Sequence, residues 1–168
     1  MGPAHRGFES HSLRVTDDEA MALALEEAEG AGAAGDVPVG AVVLGADGEV
    51  LARAANERER AGDPTAHAEA LALRRASEAT GGWRLAGATV VVTLEPCPMC
   101  AGALVAGRVA AVAFGTTDPK AGACGTLYNL CTDPRLNHEV RVVPGVRAEA
   151  CAEVLTRFFR DRRLAPPL

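Results

Sequence analysis

Lysine is nearly missing from this chain: Lys120 stands alone beside sixteen arginines. With so much alanine and glycine, the imbalance reads as genomic composition bias, not as a functional signature. Long apolar runs are missing too. No stretch reaches the roughly 18 residues that a membrane-spanning helix needs. The opening "MGPAHRGFES" lacks the apolar core of a secretory leader. These absences set the expectation of a cytoplasmic chain with no membrane partner, in a compartment where thiols stay reduced. A disulfide framework is missing as well, because the five cysteines, at 97, 100, 124, 131 and 151, are odd in number and follow no pattern. No repeat, linker or low-complexity segment interrupts the chain beyond its termini. The net charge of −5 argues against nonspecific nucleic-acid binding.

What is present is one domain's worth of globular chain: 168 residues, 48% hydrophobic. A domain of this size buries roughly 70% of its unfolded surface, so it needs neither disulfide nor metal merely to fold. Charge is uneven. The first forty residues carry eight acids against two arginines, and from Arg141 onward six arginines face three acids. A basic C-terminus is compatible with a localised phosphate contact, although a solvated helix face is the plainer reading.

Residues 1 to about 14 show no period and are expected as a loose tail, with one domain over 15–164. "TDDE" at 16–19 is a capping box that starts a helix running to about Glu29. "VPVGAVVLG" (37–45) and "EVLARAAN" (49–56) are strands joined at Asp47-Gly48, a hairpin signal. A second helix is expected from "DPTAHAEALALRRA", with Asp63 as cap and Pro64 in the first turn. "ATVVVTL" (88–94) reads as a central strand covered on both faces. Pro98 opens a third helix that ends at Gly107. Strands at 109–115 and 137–143 and a last helix at 147–163 complete the pattern. This alternation predicts a three-layer α-β-α fold: a five-stranded mixed sheet, opened by an antiparallel hairpin and otherwise mostly parallel.

The chemistry gathers around "TLEPCPMCAG" (93–102). Cys97 follows the central strand, and Cys100 lies one turn into a helix whose amides and dipole favour thiolates. By spacing alone, a CxxC pair suits metal binding and redox chemistry equally. The second half is "HAE" at 67–69, after another strand-to-helix crossover. Two βα units side by side bring both helix N-termini to the carboxyl ends of the strands, where ligands bind. His67, Cys97 and Cys100 can then converge on one ion. One nitrogen and two thiolates suit Zn²⁺, and three protein ligands leave a fourth position for water. Glu69 stands where a carboxylate would move protons for that water. Alone, His67 reads more readily as a satisfied core histidine, and Glu69 has the plain alternative of a solvated helix residue. The joint pattern, HxE and then PCxxC about thirty residues on, is far rarer than its parts and is a signature of zinc deaminases.

With "DVPVGAVV", "NERERAGDPTAHAEALALR", "VTLEPCPMCAGAL", "VAFGTTDPKAGACG", "LNHEV" and "FFRDRR", the chain from Thr16 to Arg163 resembles the bacterial tRNA-specific adenosine deaminases of the cytidine-deaminase fold. The resemblance implies hydrolysis of the wobble adenosine of a tRNA anticodon loop to inosine, one Zn²⁺ per subunit and a homodimer whose two subunits contact tRNA. It implies His67, Cys97 and Cys100 as ligands and Glu69 as proton shuttle. It also implies that Asn56 bonds the flipped base, that Val37 and Pro38 form its apolar pocket, and that Asp118 and Lys120 lie at the mouth. The terminal helix would offer Phe159, Arg160 and Arg163 to RNA. Plainer roles exist for these: Asn56 as a strand end, Val37-Pro38 as edge packing, Asp118-Lys120 as a turn, Phe158 and Phe159 as core. Cys124, Cys131 and Cys151 read as small buried residues. Two departures stand out, an extra N-terminal tail and a C-terminus without a long lysine-rich extension. The competing functions are a free-base or nucleoside deaminase on the same fold, such as a guanine or cytosine deaminase, and a non-catalytic RNA-binding subunit.

Overall fold

The computed structural model describes residues 14–166. The expected tail, 1–14, lies outside them but for Arg14. Helix α1 (Asp17–Ala33) starts on the expected capping box: Thr16 Oγ1 accepts from the Glu19 amide, and Glu19 accepts from the Thr16 amide. It runs four residues past Glu29, because Ala31 is still buried in the core and the helical turn closes only at Ala34. Strands β1 (Gly40–Leu44) and β2 (Val50–Ala55) pair antiparallel around Asp47-Gly48, as the hairpin signal predicts. After them come α2 (Arg58–Ala61), α3 (Ala68–Thr80), β3 (Thr89–Leu94), α4 (Pro98–Ala106), β4 (Ala111–Thr116), β5 (Arg141–Val143) and α5 (Ala148–Leu164).

The sheet order is β2-β1-β3-β4-β5. β1 is antiparallel to both its neighbours, and β3, β4 and β5 are mutually parallel. The mixed five-stranded sheet is thus as predicted. Alternation along the strands divides the core. Ala41, Val43, Val90 and Val92 face Leu71, Ala72 and Leu104 of α3 and α4, while Val42, Leu44 and Val91 face Ala20, Met21 and Ala24 of α1 and Cys151 of α5. Helices therefore cover both faces, and β3 is the continuous buried run its sequence announced. α1 crosses β1 closely enough that a Cβ at Gly40 would overlap the Ala24 carbonyl oxygen. The small buried residues of α1 allow that approach.

Two expectations shift. The last strand was read as 137–143, yet only Arg141–Val143 joins the sheet, because the Val140 amide is taken by the Cys131 carbonyl at 2.8 Å. The second helix does not begin at Asp63-Pro64 but at Ala68, as explained below. What matters for the site is direction. β2 and β3 are each antiparallel to β1, so they point the same way, and α3 and α4 start at one end of the sheet.

Candidate active site

His67 and Cys97 hold equivalent places at that end. Each is the N-cap of its helix, in extended conformation (φ −72°, ψ 150° and φ −73°, ψ 172°), and neither side chain bonds back to its own helix. Both are thus free to point into the space between the helices. Pro98 fills the first position of α4, where a missing N–H costs nothing, and Cys100 completes that first turn. The His67 Nδ1 lies 3.5 Å from the Sγ of Cys97 and 3.5 Å from that of Cys100. The three ligand atoms lie within 4.8 Å of one another. Donors at about 2.0 Å (nitrogen) and about 2.3 Å (sulfur) from a tetrahedral ion sit about 3.6 Å apart. The cluster therefore fits Zn²⁺ in both chemistry and spacing.

Among the protein groups themselves, the Cys97 thiol is held down to about 4, first by hydrogen bonding with Cys100 and then with His67. Cys100, beside that thiolate and buried, is pushed up. His67 is raised, mainly by its bond to Cys97. A cation bound there would displace the protons that these three groups share.

Glu69 is 4% exposed, in the first turn of α3. Burial pushes its carboxyl up to about 7, against the pull of its own backbone amide and the charge of His67. A carboxyl poised there exchanges protons near neutral pH.

His67, Cys97 and Glu69 line a cavity of about 640 Å³, within the range of small-ligand sites, and Cys100 is buried behind them. Val37, Asn56, Asp118, Lys120 and Phe159 line it too. Asn56 is 7% exposed; its Nδ2 donates to the Val37 carbonyl at 3.0 Å and its Oδ1 accepts from the Arg58 amide at 3.1 Å. One N–H and one lone pair remain for a ligand. Pro38 is buried beside Gly32 and does not line the cavity. Phe159 is exposed at the rim and meets half-buried Phe158 edge-on at 5.4 Å. Arg160 and Arg163 lie exposed on α5 beyond the cavity wall. Cys124, Cys131 and Cys151 are all buried, as read. Sequence reasoning missed Arg58, Glu95, Thr117 and Leu155 as cavity residues. For Leu155 a signal existed, since it lies four residues before Phe159 and shares its helix face.

A mixed sheet that presents a His/Cys/Cys cluster and a buried glutamate at one end is the arrangement of nucleobase deaminases that use zinc. The MafB19-like deaminase family model matches residues 15–163. The chain is 51% identical over 150 residues to a tRNA-specific adenosine deaminase of Bacillus subtilis (strain 168), covering 89% of this chain and 92% of that one. Among solved structures, one from a study of A-to-I editing by tRNA:A34 deaminases superposes with a TM-score of 0.78 at 43% identity, covering 81% of this chain and 98% of its own. A guanine deaminase of Bacillus subtilis reaches a TM-score of 0.60 at 27% identity, covering 91% and 98%. The chain belongs to this deaminase family, on the branch of the tRNA-specific adenosine deaminases.

Proposed function

We infer that this chain deaminates the wobble adenosine of a tRNA anticodon loop to inosine. The observation that carries the reading is a His67/Cys97/Cys100 cluster at a cavity that Glu69 and Asn56 also line, in a chain half identical to a protein of that name. His67, Cys97 and Cys100 would hold one Zn²⁺ per subunit, which when bound supplies a Lewis acid with a position open to water. Glu69 takes a proton at its carboxylate and returns it to the departing amine. Asn56 orients the extruded base with its free N–H and lone pair, and Val37 gives the base an apolar wall. Asp118 and Lys120 stand at the mouth. Extruding a base from a loop costs only a few kcal/mol.

Residues 15–164 act as the single catalytic domain, with residues 1–14 as a tail. Phe159 at the cavity rim, and Arg160 and Arg163 of α5 beyond it, meet the RNA, the aromatic by stacking and the arginines at phosphates. The working form is a homodimer, and this reading is supported by apolar side chains left in water. Trp83, Met99 and Leu136 are all more than a third exposed, Met99 on α4 and the other two lining a surface depression beside that helix. Among the described residues no helix is long and apolar enough to cross a membrane, and the setting that suits a tRNA substrate is the cytoplasm.

The test is direct. The zinc-loaded protein is given a tRNA arginine anticodon hairpin and, separately, free guanine, cytosine and adenosine. Inosine at the wobble position is expected, with no turnover of the free compounds. Turnover of a free base and none of the hairpin would assign the guanine- or cytosine-deaminase activity instead. No turnover at all by zinc-loaded protein would favour the RNA-binding subunit.

A further inference from the structure

The glutamate in "LEPC", Glu95, has no part in the chemistry above, yet it is 2% exposed and its carboxylate reaches the cavity wall. A carboxylate taken from water must be paired or fully hydrogen-bonded. None of the salt bridges among the described residues includes Glu95. Its acceptor capacity is met by one loop. Thr126 donates twice to Oε1, from its hydroxyl at 2.8 Å and its amide at 3.2 Å, and the Asp118 amide donates to Oε2 at 3.3 Å.

Asp118 and Thr126 are the two ends of the segment that leaves β4. Between them lie Pro119, Lys120 and Ala121, which line the cavity. The backbone passes directly over the carboxylate at Gly122, where any Cβ would overlap Glu95 Oε2. Next door, the Ala123 amide donates to the Pro96 carbonyl at 2.8 Å. The loop is thus stitched to the two residues that immediately precede the ligand Cys97.

We propose that Glu95 is a positioning residue: its carboxylate clasps both ends of the 118–126 loop and so fixes that wall of the substrate cavity relative to the metal-binding turn. This rests on the deaminase reading above. Asp118 arranges the loop's interior, accepting from the Lys120 and Ala121 amides at 2.9 and 3.2 Å, but nothing in that turn ties it to the site. Glu95 supplies the tie at both ends of the loop, beside the single Ala123–Pro96 bond between them. Hydrogen bonds to a charged group are stronger than neutral ones, and three of them hold the two ends of this loop.

The experiment compares wild type, Glu95→Ala, Glu95→Gln, Thr126→Val and Glu95→Ala/Thr126→Val. It reads zinc per chain, kcat and KM on the anticodon hairpin, and hydrogen exchange at the Asp118 and Thr126 amides. Glu95→Ala is expected to keep its zinc, to release both amides to fast exchange, and to raise KM by about tenfold or more, with a smaller change in kcat. That fold-change is about one hydrogen bond's worth. Glu95→Gln keeps an oxygen for Thr126 and recovers most of the KM. Thr126→Val lies at an exposed position and folds regardless; it raises KM severalfold alone and adds nothing to Glu95→Ala. Unchanged exchange and kinetics in Glu95→Ala, or full additivity of the two changes, would overturn the proposal. So would zinc loss with KM unmoved. If wild type makes no inosine, the function fails and the exchange data alone judge the clasp.

Discussion

Two crossovers deliver the His67/Cys97/Cys100 cluster, and they are built in opposite ways. From β3 to α4 the chain turns in three residues, Glu95 to Cys97, between a buried strand and a helix opened by Pro98. From β2 to α3 it spends twelve, Asn56 to His67, and folds α2 within them. Both end alike, with an extended N-cap residue whose side chain leaves its own helix. The short crossover is stiff by composition and places two sulfurs. The long one needs outside support, and its extra length also lines the cavity. Asp36, fully buried, reaches across to accept from the Glu59 amide at 2.6 Å and the Arg60 amide at 3.2 Å. Asn56 braces the same segment through Arg58 and Val37. One stretch thus both lines the cavity and aims His67 at the two thiols.

If the two crossovers act as one site, breaking either must have the same consequence. His67→Ala and Cys97→Ala are both expected to lose zinc and with it all measurable turnover, a larger effect than the ~10–100-fold typical of residues behind the ligands. Metal content and inosine formation on the same samples check this. A Cys97→Ala protein that kept full zinc while His67→Ala lost it would split the crossovers and end the shared-site reading. Next in size is Glu69→Gln. Zinc should remain at one per chain while turnover falls by the ~10²–10⁴-fold typical of a lost general acid–base. Inosine at the normal rate from that variant would remove Glu69 from its role.

The same contrast explains what the chain revealed in advance. The short crossover was legible because each of its signals is local: a continuous apolar strand, a proline at the first helical position and a CxxC spacing. The long crossover was misread for an equally local reason. Asp63-Pro64 has the signature of a helix start, but Asp63 Oδ1 is occupied by the Thr65 amide and hydroxyl, at 2.8 and 2.7 Å, and so closes a turn. The helix starts four residues later, where His67 can face the thiols. Helix α2 carries no signal of its own, since its amides are capped by Asp36 from more than twenty residues upstream. The Glu95 clasp likewise joins residues over twenty apart. The expected role of Pro38 in the pocket was an implication of resemblance, and here Val37 alone of that pair lines the cavity.

Supports of the long crossover can be removed one at a time. Asp36→Ala removes the buried carboxylate that caps two amides of the exposed helix α2, and a hydrogen bond to a charged group is worth about 1.5–3 kcal/mol. Urea unfolding should show a loss of that order, with zinc affinity lowered too, because α2 leads into the His67 turn. A stability change near zero would mean that α2 stands without its remote cap.

The smallest effect belongs to Asp63. Were it the helix cap, Asp63→Ala would weaken the whole first turn of α3 and disturb His67. Because it only closes the 63–66 turn, the expected loss is well below that of Asp36→Ala, with zinc affinity and helix content unchanged. Its pH dependence follows from the same bonds. Thr65, by hydroxyl first and amide second, lowers the Asp63 carboxyl below its ordinary value of 3.8. Its folded value lies below its unfolded one, so its contribution is present above the unfolded value and fades as pH falls through the folded one. The urea midpoints of wild type and Asp63→Asn should therefore differ by a small constant amount from pH 7 to 5 and converge below about pH 4. A gap that persists below that range, or one as large as that of Asp36→Ala, would restore Asp63 as a helix cap and remove the physical distinction between the two crossovers.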